Sequence, residues 1–237
     1  MRLDRFLSDT GTATRSEAAR AVRRGLVTVN GVPAASPAMA IDPACDRVAF
    51  AGAEVLWKPF LYIMLNKPQG YVSATEDGSA PTVLELLPEK ERRRDLFPCG
   101  RLDKYTTGLM LLTDNGQLAH RLLSPRRHVS KIYAWTSERP VGDADRARLE
   151  AGVHIEGGYL TKPAKVTVNG DGRSGTILLT EGKYHQIKQM FGAVGNAILT
   201  LERRTFGPLT LDNTLAPGDW RELTPDEIRA LESAGEA

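Results

Sequence analysis

The chain has 237 residues, of which 41% are hydrophobic and 25% charged. These proportions are typical of soluble globular proteins, and the length suits one large domain or two smaller ones. No apolar run approaches the ~20 residues of a membrane span, and the N-terminus lacks the apolar core of a signal peptide. We therefore expect a cytoplasmic protein. Cys45 and Cys99 lie far apart in the sequence and indicate neither a disulfide framework nor a metal site.

The net charge of +2 is unevenly distributed along the chain. From Pro217 onward, six acidic residues outnumber two arginines by four, so the rest of the chain carries a formal charge of +6. This asymmetry permits a basic face for a polyanion such as nucleic acid, without requiring one.

The first 57 residues are expected to form a small module of two helices and two hairpins. Thr14 or Ser16 can cap the second helix and Gly25 can end it. Asn30-Gly31 is the strongest short signal for a hairpin, and Ala51-Gly52 indicates another. The predicted elements are a helix around residues 3–7, a helix over 15–24, a strand over 26–29, and strands over 48–50 and 54–56.

The second predicted helix concentrates positive charge in Arg15, Arg20, Arg23 and Arg24. A solvated helix face is the ordinary interpretation of such a run, and a surface that grips RNA phosphates is the alternative. The segments R-L-D-R-F-L, T-R-S-E-A and V-R-R-G-L-V-T-V-N-G resemble the S4 RNA-binding domain. That resemblance favours RNA binding by the four arginines. Lys58-Pro59 reads as a linker, which predicts domains over 1–57 and 58–237.

The second domain is expected to begin with a strand over 61–65, a Pro-Gly turn and another strand near Tyr71–Ser73. Lys67, beside this turn, is available to a phosphate. Residues 82–94 show a partly helical pattern and end in Arg92-Arg93-Arg94, which is more often a solvated surface than a binding site.

The central stretch, G-R-L-D-K-Y-T-T-G-L-M-L-L-T-D-N-G, spans residues 100–116. It places Asp103 between two basic residues, in a loop that joins apolar runs over 96–98 and 109–112. A lone Arg-x-Asp is more often a turn or a surface ion pair than a catalytic group. A helix over 117–124 should follow and end at Pro125.

In the remaining chain, strands and helices alternate with glycine-rich turns. Lys131, Tyr133 and Trp135 share one face of a predicted strand. His128 could contact phosphate, but a lone histidine is more often structural. The other predicted elements are helices over 143–150 and 225–232 and strands over 153–155, around 160, and over 166–168, 176–180, 209–211 and 220–223.

Four motifs together resemble the pseudouridine synthases, in particular the small-subunit (RsuA-type) rRNA group. They are N-K-P-Q-G-Y-V-S, the G-R-L-D stretch, K-I-Y and E-G-K-Y-H-Q-I-K-Q-M. The resemblance implies that Asp103 is the essential aspartate, that Lys188 pairs with it, and that Tyr133 stacks on the target base. Glu181 and Gln186 would support the site.

The resemblance also implies the fold and the chemistry. The fold is α+β, an S4-like module followed by a mainly antiparallel sheet with flanking helices. The reaction breaks the N1–C1′ bond of uridine and joins C5 to C1′, which requires no cofactor. The sequence offers no P-loop, dinucleotide motif or metal-ligand spacing. A lone buried carboxylate is costly unless paired, a need that Lys188 would meet. Whether Asp103 acts as nucleophile or base stays open.

The implied substrate is small-subunit (16S) rRNA, with uridine 516 as the family target. The uridine must be flipped out of the RNA, and Arg101 could fill the space it leaves. We assign RNA or substrate contacts to Arg101, Lys67, Lys131 and Gln186. The alternatives are a paralogue acting on 23S rRNA and a non-catalytic RNA-binding factor for ribosome assembly. We expect a monomer that binds ribosomal RNA and no membrane.

Overall fold

The computed structural model describes residues 1–92, 95–124 and 129–236, which form two compact units. The first unit comprises Met1–Leu61 and Leu87–Asp95, and the second comprises Tyr62–Leu86 and the chain from Leu96 onward. The domain boundary between residues 57 and 58 stays a prediction. The predicted features at Arg93-Arg94, Pro125 and His128 lie outside the described residues. No helix in the described ranges is both long and apolar enough to cross a membrane.

The first unit packs two helices on a small antiparallel sheet with strand order β2-β1-β3-β4. Thr14 and Glu17 form the capping box that begins the second helix, since each side chain accepts from the other's backbone N–H. Asn30 and Gly31 both have positive φ, at 53° and 80°, as a two-residue hairpin turn requires. The elements are α1 (Leu3–Asp9), α2 (Arg15–Arg23), β1 (Val27–Val29), β2 (Val32–Pro33), β3 (Val48–Phe50) and β4 (Ala53–Val55).

The second unit follows with β5 (Tyr62–Lys67) and, after the short α3 (Glu89–Arg92) of the first unit, β6 (Phe97–Cys99) and β7 (Thr107–Thr113). Its later elements are α4 (Gly116–Leu123), β8 (Lys131–Ser137), α5 (Asp143–Ala151), β9 (His154–Ile155), β10 (Tyr159–Leu160), β11 (Lys165–Val168), β12 (Ser174–Leu179), α6 (Gln186–Ala193), β13 (Ile198–Phe206), β14 (Leu209–Thr210), β15 (Trp220–Glu222) and α7 (Pro225–Glu236). Single turns of 3₁₀ helix lie at Val83–Leu86 and Glu156–Gly158.

Within the described residues, nine strands of the second unit form one sheet with the order β11-β12-β8-β13-β7-β5-β15. Strand β14 adds to β13 and β6 adds to β7. Every pairing is antiparallel except that of β7 with β13. The predicted α+β architecture with a mainly antiparallel sheet is confirmed.

Two apolar clusters stabilise this sheet. One contains Leu111 of β7, Leu122 of α4 and Leu231 of α7. The other packs α5 and α6 on the β8–β12 side, where the rings of Trp135 and Phe191 lie 5.0 Å apart. The two clusters therefore hold the two halves of the sheet on either side of the β7–β13 pairing.

The parallel pairing of β7 with β13 requires a glycine. Gly108 lies opposite Arg203 and has a φ of +97°. A Cβ at this position would lie 2.4 Å from the carbonyl oxygen of Arg203. The close approach brings the loop that precedes β7 next to β8 and β13.

Two sequence expectations fail in the second unit. The strand predicted near Tyr71–Ser73 is wrong, because only an isolated bridge from Val72 to Thr82 forms there. No element was expected at β13, the nine-residue strand in the middle of the sheet. Its charged run, Glu202-Arg203-Arg204, breaks the apolar pattern by which a buried strand is recognised.

We predict that Gly108→Ala lowers the free energy of unfolding by at least about 3 kcal/mol, because it combines a backbone clash with an unfavourable φ. Gly192→Ala is the matched control, since a Cβ at this exposed position near the end of α6 meets nothing within 4 Å. The control should be neutral or more stable by about 0.5–1 kcal/mol. Denaturant unfolding of both variants measures the difference, and equal stability would contradict the assigned role of Gly108.

Candidate active site

A cavity of about 590 Å³ opens in the second unit. Its walls are the loop over residues 100–106, the segment over 181–188, and the side chains of β8 and β13 that face them. Seven of the predicted site residues line it: Arg101, Asp103, Lys131, Tyr133, Glu181, Gln186 and Lys188. The fold thus brings together motifs that are up to 87 residues apart in the sequence.

The loop that carries Asp103 is tied down from β5 by Lys67. This side chain is fully buried, and its ammonium donates to the carbonyl oxygens of Pro68, Lys104 and Thr106 at 3.0, 3.2 and 2.9 Å. Burial lowers the pKa of Lys67 to about 8. An ammonium has three N–H donors, and all three are used here. Lys67 therefore holds the loop in place, and its contact with an RNA phosphate stays a prediction.

Further hydrogen bonds fix the same loop. The hydroxyl of Ser73 donates to the carbonyl of Leu102 at 2.7 Å and accepts from its N–H at 3.0 Å. The N–H of Gly70 donates to the carbonyl of Lys104. Residues 70–73 thus act as a brace for the Asp103 loop, which explains why they follow an irregular path instead of forming a strand.

The carboxylate of Asp103 has a nitrogen partner at each oxygen. Lys188 Nζ lies 3.1 Å from Oδ2, and His185 Nε2 lies 3.5 Å from Oδ1. The Asp103 side chain is 25% exposed, so it is neither fully buried nor freely solvated. The predicted pairing of Asp103 with Lys188 is present in the geometry. The sequence analysis did not single out His185, although it lies within the E-G-K-Y-H-Q motif.

Glu181 and Gln186 hold the segment that presents His185 and Lys188. The amide nitrogen of Gln186 donates to Glu181 at 2.7 Å, and its oxygen accepts from the N–H of Lys183 at 2.9 Å. Burial would raise the pKa of Glu181, but hydrogen bonds from Tyr159, Lys162 and Gln186 lower it overall. This geometry matches the supporting role expected for both residues. Direct contact of Gln186 with RNA stays a prediction.

Strands β8 and β13 supply the other side of the cavity. Tyr133 is half-buried on β8, and Lys131 lies two residues earlier with only 4% of its surface exposed. Burial, with the nearby charge of Arg203, lowers the pKa of Lys131 to about 7. Arg203 is fully buried and donates to the carbonyl of Leu109 at 2.7 Å. Sequence reasoning missed Arg203 together with its strand.

The remaining predicted RNA contacts lie on exposed surfaces. Arg101 is exposed on the cavity wall. In the first unit, the side chains of Arg15, Arg20, Arg23 and Arg24 are exposed along α2 and its C-terminal end. Contacts of these residues with RNA stay predictions.

The arrangement can hold one ionised carboxylate against two basic side chains, with an aromatic ring on a nearby wall. A carboxylate in this position can attack a substrate bound in the cavity or remove a proton from it. Within the described ranges, no three His, Cys, Asp or Glu side chains are grouped so as to hold a metal ion.

Comparison with known proteins identifies relatives along the whole chain. Residues 61–193 match the family model for RNA pseudouridylate synthases, and residues 1–48 match the S4 domain. The RNA pseudouridine synthase YtzG of Bacillus subtilis is 47% identical over 98% of each chain. The ribosomal small subunit pseudouridine synthase A of Escherichia coli is 42% identical over 98% of this chain and all of its own. Its counterpart in Yersinia pestis is 44% identical over 98% of each chain.

A solved structure agrees with the sequence comparisons. The crystal structure of a pseudouridylate synthase matches with a TM-score of 0.69 and 38% identity, over 98% of this chain and 99% of that chain. Both resemblances seen in the sequence, to the S4 domain and to the pseudouridine synthases, are therefore confirmed.

Proposed function

The chain belongs to the RNA pseudouridylate synthase family, and we propose that it isomerises one uridine of small-subunit ribosomal RNA to pseudouridine. Membership makes the chain an isomerase. The substrate proposal is supported by the relatives named ribosomal small subunit pseudouridine synthase A, at 42–44% identity over nearly the full chain. The observation that carries the mechanism is the contact of Asp103 with Lys188 in a cavity lined by Tyr133.

Asp103 is the group that acts on the substrate. The reaction breaks the bond from N1 to C1′, turns the base, and forms a bond from C5 to C1′, after which C5 loses its proton and N1 gains one. The Asp103 carboxylate attacks C1′ or removes a sugar proton, and either role requires its ionised form. Lys188, with its Nζ 3.1 Å from Oδ2, holds the carboxylate in position by charge attraction. The second partner, His185, holds the other oxygen.

Tyr133 receives the flipped base. Extruding a nucleotide from folded RNA costs a few kcal/mol, and stacking on an aromatic ring returns about 1–3 kcal/mol. Arg101, on the cavity wall, fills the gap that the uridine leaves in the RNA. The exposed arginines of α2 contribute phosphate contacts that do not depend on base sequence.

The alternatives differ in what they require of the site. A paralogue acting on large-subunit rRNA would use the same residues, and only the position of the product distinguishes it. A non-catalytic RNA-binding factor has no need of a carboxylate held between two basic side chains in a cavity. The presence of both Asp103 and Lys188, in contact with each other, favours the enzyme.

We predict that cells lacking the gene lose one pseudouridine from small-subunit rRNA, at the position of uridine 516. Wild-type protein should restore it and Asp103→Asn should not, because the amide cannot replace the carboxylate. With RNA carrying 5-tritiated uridine, the purified variant should release label at least about 1,000-fold more slowly while binding RNA as tightly.

The measurement is chemical mapping of pseudouridine, with tritium release as the assay in vitro. A site lost from large-subunit rRNA would support the paralogue instead. Unchanged rRNA in both subunits would overturn the proposed function. An active Asp103→Asn would overturn only the role given to Asp103.

We also predict that replacing Arg20, Arg23 and Arg24 with Ala weakens RNA binding and reduces the slope of log K against log salt by about 2 to 3, since each phosphate contact contributes roughly 0.7–0.9. A matched control removes the same charge from exposed arginines of the second unit, namely Arg146, Arg173 and Arg229. Binding titrations across salt concentrations compare the two triple variants. Equal slopes would remove α2 from the RNA interface.

A further inference from the structure

The cavity wall beside Asp103 carries two stacked rings. Tyr184 and His185 have ring centroids 3.9 Å apart and planes inclined by 20°. Both residues line the cavity, and His185 also contacts Asp103 at 3.5 Å. The rings therefore extend from the carboxylate toward solvent.

Tyr184 is a large aromatic residue that stays mostly exposed to solvent. It is 72% exposed, so one ring face rests on His185 and most of the remainder meets water. Among the described contacts, its hydroxyl forms no hydrogen bond, and Tyr184 belongs to neither apolar cluster of the second unit. A buried tyrosine contributes by burial and by satisfying its hydroxyl, and Tyr184 does neither.

The backbone beneath the two rings is held in an unusual conformation. His185 has φ 47° and ψ 29°, a left-handed geometry that is unfavourable for a residue other than glycine and concentrates at functional sites. The side chain of Gln189 supports this backbone. Its amide nitrogen donates to the carbonyl of Tyr184 at 2.7 Å, and its amide oxygen accepts from the N–H of Glu156 at 2.8 Å. The orientation of the rings is thus preorganised.

We propose that Tyr184, backed by His185, is a stacking platform for the unpaired nucleobase next to the uridine that enters the cavity. The inference rests on the proposed function and deepens it. When a nucleotide is flipped out, its neighbour loses a stacking partner. A preorganised aromatic face at the mouth of the same cavity supplies a replacement.

This placement makes Tyr184 a binding residue and not a reacting group. Its loss should therefore raise KM and leave kcat nearly unchanged, because the ring contacts the RNA equally before and during the reaction. Tyr184→Leu should raise KM about 5- to 100-fold, in line with the contribution of base–aromatic stacking. Tyr184→Phe keeps the ring and should behave as wild type. Phe60→Leu, which changes another exposed aromatic residue that does not line the cavity, is the matched control.

The kinetic test uses full-length protein and transcribed small-subunit rRNA, with tritium release as the readout. A rise in KM for Tyr184→Leu alone supports the platform. An unchanged KM overturns it. A fall in kcat with KM unchanged also overturns it, since Tyr184 would then act only by orienting His185 against Asp103.

A second measurement reports on stacking directly and does not depend on turnover. Single-stranded oligoribonucleotides carry 2-aminopurine on the 5′ or the 3′ side of a uridine. Wild type, Tyr184→Phe and Asp103→Asn should quench the fluorescence of one of the two probes on binding, and Tyr184→Leu should bind without quenching it.

The two measurements separate the possible failures. Quenching that is equal in Tyr184→Leu overturns the platform and leaves the proposed function standing. The absence of any pseudouridine formation by wild type would overturn the proposed function and this inference with it.

Discussion

The position of Asp103 depends on the buried ammonium group of Lys67, which holds the Asp103 loop by its carbonyl oxygens. Lys67 lies fully buried at the end of β5, and its three N–H groups donate to carbonyl oxygens, two of them in the Asp103 loop itself. A loop without these bonds would leave the carboxylate mobile, and displacing a catalytic group by about 1 Å can slow a reaction about 100-fold. The brace from Ser73 to Leu102 adds a second attachment. Both side chains hold the loop by its backbone atoms, which leaves the Asp103 side chain available to the substrate.

The second constraint is the parallel pairing of β7 with β13 at Gly108. It brings the start of β7, where the Asp103 loop ends, against the strand that pairs with β8 on its other edge. The segment before α6 then closes the cavity with His185 and Lys188. The carboxylate, the basic side chains and Tyr133 meet because of this sheet order, although each comes from a different part of the chain. Because Asp103 is only partly exposed, its ion pair with Lys188 is screened less by water than a pair on the open surface would be.

Local signals in the sequence predicted much of this structure. The N-terminal cap of the second helix, expected at Thr14 or Ser16, the Asn30-Gly31 turn and the Ala51-Gly52 hairpin follow from residue preferences that act over a few positions. The motif resemblance predicted the contact of Lys188 with Asp103, which no local pattern contains. What could not be predicted depends on distant contacts. Strand β13 lies in the middle of the sheet although it carries a charged run, in which Arg203 is buried and donates to the carbonyl of Leu109. Lys67 looks like a surface lysine until its three carbonyl partners are known.

The central claim is that the reaction depends on the positive charge of Lys188, whose Nζ lies 3.1 Å from the Asp103 carboxylate. The most direct measurement is the single-turnover rate of pseudouridine formation by Lys188→Met and Lys188→Arg, at saturating enzyme so that binding does not limit the rate. The account predicts that Lys188→Met is at least about 100-fold slower than wild type and that Lys188→Arg, which retains the charge, lies within about tenfold of it. A Lys188→Met rate equal to that of wild type would contradict the account.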